Sequence, residues 1–225
     1  MVKSTKKGKK GKNNETKAVN ENSIKQDISK TKSPEEFIKN QYSKCWNFIK
    51  DSRKQIYIIL AIFAIFMLAG SFMPVPETLH TSILNYFNTV EKEIQDKSFV
   101  EMTGFLFSNN LQASFFGLIF GLFLGIVPLV ISVSNGYIIG FVMGLAVRET
   151  SLLVLWRIIP HGIFELPAVF LSLGMGLKIG TFIFKKDRMD SLKTYLINSF
   201  RVFLLVVIPL LFIAAIIESW LISFI

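Results

Sequence analysis

Apolar residues gather into long runs along this chain, and polar residues mark where it must turn. The first run, 56–73, has eighteen positions without a charge and is closed by Pro74 and Pro76. The next two runs divide a block from Met102 to Val147 that holds no charged residue in 46 positions, about twice the roughly 20 apolar residues one membrane crossing needs. Pro128, Ser132, Ser134 and Asn135 collect inside that block. They predict a hairpin turn between Pro128 and Gly136, with spans at about 109–128 and 132–150 on either side. Further spans are predicted at about 158–178 and 202–222, the last interrupted only by Glu218. The pattern specifies an all-α polytopic membrane protein with about five transmembrane helices over 56–225.

The segments outside these runs carry weaker patterns. In the loop 74–107, Leu79, Ile83, Phe87, Val90 and Ile94 recur at helical spacing between polar residues, which predicts an amphipathic helix at the membrane surface. It either packs on the protein's own helices and the lipid interface or docks a partner protein. From Ser33 the sequence reads Ser-Pro-Glu-Glu, a cap acceptor, a proline at the first helical position and a glutamate three residues after the cap. A juxtamembrane helix is therefore expected over 33–55. Its Phe37, Gln41, Cys45 and Ile49 recur every four residues beside Lys39, Lys44, Lys50 and Arg53, as suits either a helix lying on the membrane or a linker helix. Residues 1–32 are rich in Lys, Asn, Ser and Thr and are expected to stay disordered, since they have too little apolar surface to offset ordering entropy.

Charge gives the chain a direction. The net charge of +9 lies wholly in residues 1–55, which carry fifteen Lys and Arg against six Asp and Glu, while the remaining residues carry ten of each. The tail and the segment containing Lys185, Lys186, Arg188 and Lys193 are the two basic regions, four crossings apart, and belong on the cytoplasmic side. The loop 74–107, net −3, falls outside. The expected location is the cell membrane, with the N-terminus cytoplasmic and the C-terminus extracytoplasmic. A cleavable signal peptide is not expected, because the first apolar run begins only near Ile56. The tail lysines are expected to be drawn to anionic lipid, at about 1 kcal/mol per basic residue near the surface. No nucleic-acid role is expected, because no aromatic residue precedes Phe37 to stack on bases. With 51% hydrophobic residues so arranged and Cys45 as the single cysteine, a soluble enzyme and a disulfide scaffold are excluded.

Glycine is the clearest motif. Ala113, Gly117, Gly121 and Gly125 fall four apart in the second span, and Gly136, Gly140 and Gly144 do so in the third. This spacing puts small residues on one stripe, where helix backbones approach closely in lipid. Two stripes on consecutive spans predict a tight hairpin or a glycine-lined contact between copies of the chain. The second motif is polar. Arg157, His161 and Glu165 are each four apart and share a face if the helix is unbroken, although Pro160, Gly162 and Pro167 argue for a break. Ionisable residues at membrane depth mark functional or cross-helix bonding positions. Asn109, Asn110 and Gln112 are expected at the outer entrance of the second span as caps or interfacial groups, and with Asn135 they could line a polar cavity.

No set of catalytic parts is complete. The spans hold no Asp for an aspartyl intramembrane protease, and no G-x-S-x-G accompanies Ser132, Ser134 or Ser172, the serines that could meet His161. No Walker motif occurs, His80 is the only other histidine, and no H-E-x-x-H is present. The expectation is a protein that is not an enzyme, with no metal site and no cofactor. Intramembrane proteolysis is the minor alternative.

The order N-N-x-x-A-S-F at 109–115, the glycine-rich paired spans, S-N-G-Y at 134–137 and H-G-I-F-E-L-P-A at 161–168 together resemble the stage II sporulation protein M family of integral membrane proteins. The resemblance runs from about residue 56 to the C-terminus and is most specific in the last motif, at His161, Gly162, Glu165, Leu166 and Pro167. It implies a five-span protein. In endospore formers the namesake works during engulfment, in a membrane complex with enzymes that degrade cell-wall peptidoglycan, where it looks like a scaffold without catalytic residues. The expected function is thus a non-enzymatic scaffold of an envelope or membrane-remodelling complex, with membrane or extracytoplasmic protein partners. The alternative is a permease-like transporter subunit using Arg157, His161 and Glu165 at membrane depth.

Overall fold

The structure, a computed structural model, describes residues 33–73, 77–95, 97–149 and 155–224; the tail 1–32 lies outside the described residues. Among the described residues eight α-helices follow one another: α1 Pro34–Asp51, α2 Arg53–Phe72, α3 Glu77–Gln95, α4 Phe99–Ile119, α5 Ile126–Glu149, α6 Leu155–Gly180, α7 Arg188–Val202 and α8 Ile208–Phe224. No strand occurs among the described residues. The chain divides into two units, Met1–Ser43, with the first half of α1, and Lys44–Ile225, with the other helices. At the start of α1 the Ser33 hydroxyl accepts the Glu36 N–H at 3.2 Å, as its sequence implies.

Among the described residues five stretches are long and apolar enough to cross a membrane: Arg53–Phe72, Phe99–Leu122, Ile126–Arg148, Glu165–Phe184 and Arg188–Ser223. Their outward faces are apolar, with Ile65, Leu68, Phe116, Phe120 and Phe212 all exposed, which suits lipid as the surrounding solvent.

Three boundaries differ from those the sequence suggests. The second span begins ten residues earlier, at Phe99, where Ser98 and Glu101 form a reciprocal capping box. That box satisfies the first free N–H groups and shortens the preceding loop. The hairpin turn falls at Phe123–Gly125 rather than between Pro128 and Gly136. Leu124 and Gly125 supply the left-handed backbone of the turn, with φ of 56° and 73°. Pro128 instead sits in the first turn of α5, where its missing N–H would have had no helical partner anyway. Finally, α6 runs unbroken through Pro160, Gly162 and Pro167, because neighbouring helices support a backbone that has lost single hydrogen bonds.

The segment Arg188–Ser223 is 36 residues long, or about 54 Å of helix at 1.5 Å per residue, against a hydrocarbon core of about 30 Å. Helix α7 therefore extends past the bilayer, on the same side as Lys185 and Lys186. A π-turn at Phe203–Val207 joins it to α8. Pro209, just beyond, lacks the N–H that would bond the Leu205 carbonyl, and the wider turn absorbs that loss.

Helix α6 is the most buried of the five spans and touches α2, α4, α5 and α8. The tightest pairings are α2 with α5 and α4 with α6. Along the first, Gly136, Gly140 and Gly144 lie on the carbonyls of Phe63, Met67 and Ser71 in turn. Along the second, Gly117 meets Leu173, Gly121 meets Gly176, and Gly125 meets Leu177 and Gly180. Residue numbers rise together in both pairs, so each pair is parallel.

The two glycine stripes therefore do not face each other as a hairpin; each serves a different partner within one chain. A methyl at Gly144 would stand 2.7 Å from the Ser71 oxygen, and one at Gly121 would fall on the Gly176 carbonyl. Both obstacles are backbone and have no rotamer to retreat into. Gly121→Ile is expected to destabilise the purified protein by about 1–3 kcal/mol or more, the usual cost of overpacking. A thermal melt in detergent checks this, with Gly104→Ile as the tolerated control, since a methyl at Gly104 would meet nothing within 4 Å.

Candidate functional site

The continuity of α6 places Arg157, His161 and Glu165 on one face of one helix. The side chains of Arg157 and His161 lie outside the described residues, and Glu165 is half-buried. The asparagines are not gathered into a cavity. Asn109, exposed, and Asn110, half-buried, sit in the middle of α4 rather than at its entrance, because the helix starts at Phe99. Asn135 is half-buried in α5, a helix that makes little contact with α4. Gln112 donates from Nε2 to Ser108 Oγ at 3.1 Å, one turn back on its own helix.

Serines have a role that residue spacing did not reveal. Ser132 Oγ donates to the Ile59 carbonyl at 3.0 Å, joining α5 to α2. Ser172 Oγ donates to the Ser114 carbonyl at 2.6 Å, joining α6 to α4. Ser71 Oγ lies 2.9 Å from the carbonyls of both Met67 and Gly140. These contacts lie on the same two seams as the glycines, where close backbones put carbonyls within reach of a short hydroxyl. Sequence alone offered Ser132 as a turn residue and both Ser132 and Ser172 as partners for His161; in the structure both hydroxyls are engaged on neighbouring helices.

Five spans joined along two seams also set this chain beside known proteins. The sequence profile of Stage II sporulation protein M matches residues 59–221, well over half of the chain. The chain belongs to this family. The match opens within α2 and closes within α8, so it reaches all five spans of this stage II sporulation protein M relative, and α1 falls outside it. No curated protein and no solved structure matches the chain. The segment 161–168 forms about the third and fourth turns of α6, the helix on which the bundle centres.

At the other end of α6, Lys178 is buried. Its Nζ donates to Asp51 Oδ2 at 2.7 Å and to the Asp51 carbonyl at 3.1 Å, and lies 5.2 Å from the centre of the Tyr195 ring. Tyr195 in turn packs on Phe48. This polar knot ties α1 and α7 to the basic end of the bundle. Beside it Cys45 is buried, and burial pushes its thiol pKa up, a shift that nearby Arg201 only partly offsets. The thiol is thus neutral near pH 7 and a poor nucleophile. Maleimide should label Cys45 slowly in the folded protein and rapidly after denaturation; equal rates would contradict the packing of α1.

The ion pair is asymmetric. Asp51→Ala is expected to cost about 1–3 kcal/mol, because it leaves a buried ammonium with one partner fewer, whereas Lys178→Met replaces the cation by a stem of similar shape and should cost less. Urea or thermal unfolding of the two variants checks the order. A larger loss for Lys178→Met would contradict it.

Proposed function

We propose that this protein is a non-enzymatic scaffold of the cell membrane that organises an envelope or membrane-remodelling complex. The observation that carries the reading is the packing at the two seams. Where helix backbones touch along α2 with α5 and α4 with α6, and hydroxyls lock them further, the bundle is a rigid support. Elements that extend from it supply the presenting surfaces. On one side α7 and the second half of α1 stand beyond the bilayer; on the other, α3 touches the bundle where the His80 ring meets Phe141. Family membership supports a role shared with stage II sporulation protein M, and the sporulation process itself belongs to the namesake.

The charge distribution supports an orientation with the basic end, including Lys178, Lys185 and Lys186, in the cytoplasm and α3 outside. A reporter active only outside the cytoplasm, such as alkaline phosphatase, should be active when fused after Ile225 and inactive when fused after Lys186. The reverse pattern would overturn the orientation.

The functional test is affinity capture of the tagged protein in mild detergent, with mass spectrometry of what co-purifies. Under the scaffold reading, envelope or wall-active proteins are retained, and they are lost when the exposed residues Glu77, Thr81 and Asn85 on α3 are all replaced by Lys. The permease-like alternative uses the face bearing Arg157, His161 and Glu165. Solute or proton flux in liposomes that falls with Glu165→Gln, together with no retained envelope protein, would favour it over the scaffold.

A further inference from the structure

A cleft of about 290 Å³ opens where the ends of α2 and α5 meet the flank of α3. Gly70 and Gly144 contribute no side chains to its floor, while Phe141 and Leu145 form apolar wall. Its two nitrogen-bearing side chains are His80 and Arg148, 68 positions apart in sequence and brought together only by the fold. Each is held in place. Arg148 Nη2 donates to the Ser71 carbonyl at 3.1 Å, which anchors the guanidinium on α2 through one of its five N–H donors. The His80 ring stands edge-on to Phe141, with centroids 5.3 Å apart and planes at 83°.

No carboxylate lines the cleft among the described residues; the acid nearest in sequence to His80 is Glu77, one turn back on α3 and exposed. A fixed guanidinium beside an imidazole presents donors to an anion, and the forked geometry of arginine suits phosphate oxygens in particular. The cleft also sits at a defined depth. Phe72 closes the first candidate span and Arg148 closes the third, so the cleft lies where hydrocarbon gives way to water. Its volume is at the small end of ligand pockets, which run from about 300 to 1,000 Å³, and admits a headgroup rather than a whole amphiphile. The apolar wall on one side and the cation on the other match a molecule with a charged head and a hydrocarbon tail.

We propose that this cleft is a binding site for a phosphate-bearing anion at the membrane boundary, with Arg148 and His80 as the recognising side chains and the phosphate of a membrane phospholipid as its occupant. The site is independent of the scaffold reading. Its recognising side chains, His80 and Arg148, are not among the residues that carry the family resemblance, and it requires only that α2, α3 and α5 meet as they do.

The test is native mass spectrometry of the full-length protein released from detergent micelles containing phosphatidylglycerol, with inorganic phosphate titrated separately in a thermal-shift assay. One retained phosphatidylglycerol per chain is expected, and Arg148→Gln should reduce its retention about tenfold, as suits the loss of a charge-assisted hydrogen-bond donor. His80→Ala, which leaves the contact of Arg148 with Ser71 in place, should also reduce it and keeps the test decisive if Arg148→Gln unfolds. The double variant Lys185→Gln with Lys186→Gln, at the opposite end of the bundle, should retain lipid as before. A saturable rise in melting temperature with inorganic phosphate, lost in His80→Ala and without lipid retention, would uphold the anion site and assign it to free phosphate. Equal lipid retention by the native protein, Arg148→Gln and His80→Ala, with no phosphate-dependent shift, would overturn the proposal.

Discussion

Inside a bilayer, apolar side chains gain little by leaving lipid for one another, so helices stay together only if they approach closely enough for dispersion and short hydrogen bonds to act. In this protein that approach is made by glycine against backbone. Gly136, Gly140 and Gly144 rest on three carbonyls of α2 spaced one turn apart, and the stripe of α4 rests on α6 at Gly176 and Gly180. The inter-helix serine bonds depend on the same closeness, since a hydroxyl reaches a neighbouring carbonyl only when no side chain separates the helices. Gly140 illustrates the dependence: its own carbonyl accepts from Ser71, whose hydroxyl reaches it at 2.9 Å because Gly140 and Gly144 keep the seam narrow.

The parallel sense of both seams follows from their connectivity. Consecutive spans run in opposite directions, so a parallel pair must skip one span, and both seams do: first with third, second with fourth. Helix α6 joins the two pairs by touching α2 and α5 as well as α4, and α8 closes the bundle against α4 and α6. Buried residues from α4, α6, α8 and the π-turn form a common core with Cys45 and Phe48 of α1, so the basic end is packed as well as charged. Lys178 belongs to this end rather than to a path through the membrane, because its ammonium is bound to Asp51 at the end of α1.

Much of this was legible in the sequence. Five apolar runs match five crossing segments, Ser33 caps α1 as its spacing implies, and the four-residue glycine stripes lie on helix contacts. The stripes' partners were hidden, because spacing fixes which face of a helix is small but not which helix it meets. The turn was misplaced for a related reason. Pro128, Ser132 and Asn135 are turn-forming residues in water, yet a proline in a first helical turn and a serine bonded to Ile59 are both at home inside a membrane helix. The deciding signal was Leu124 and Gly125, whose positive φ leaves only one unremarkable glycine as a trace in sequence. Of the candidate polar residues, Arg157, His161 and Glu165 keep their four-residue spacing on an unbroken α6, whereas Asn109 and Asn110 on α4 and Asn135 on α5 are dispersed. The pairing of His80 with Arg148, and of Lys178 with Asp51, joins residues far apart in the chain, which no local pattern encodes.

Backbone contact at glycine, within a single chain, holds the bundle together. The most direct test is a size series at Gly140, Ala then Val then Ile, melted in nanodiscs holding one chain each. A methyl there falls on the Met67 carbonyl, so stability should already drop at Ala and fall further with each larger side chain. A flat series in single-chain discs would contradict intramolecular glycine packing as the source of the bundle's cohesion.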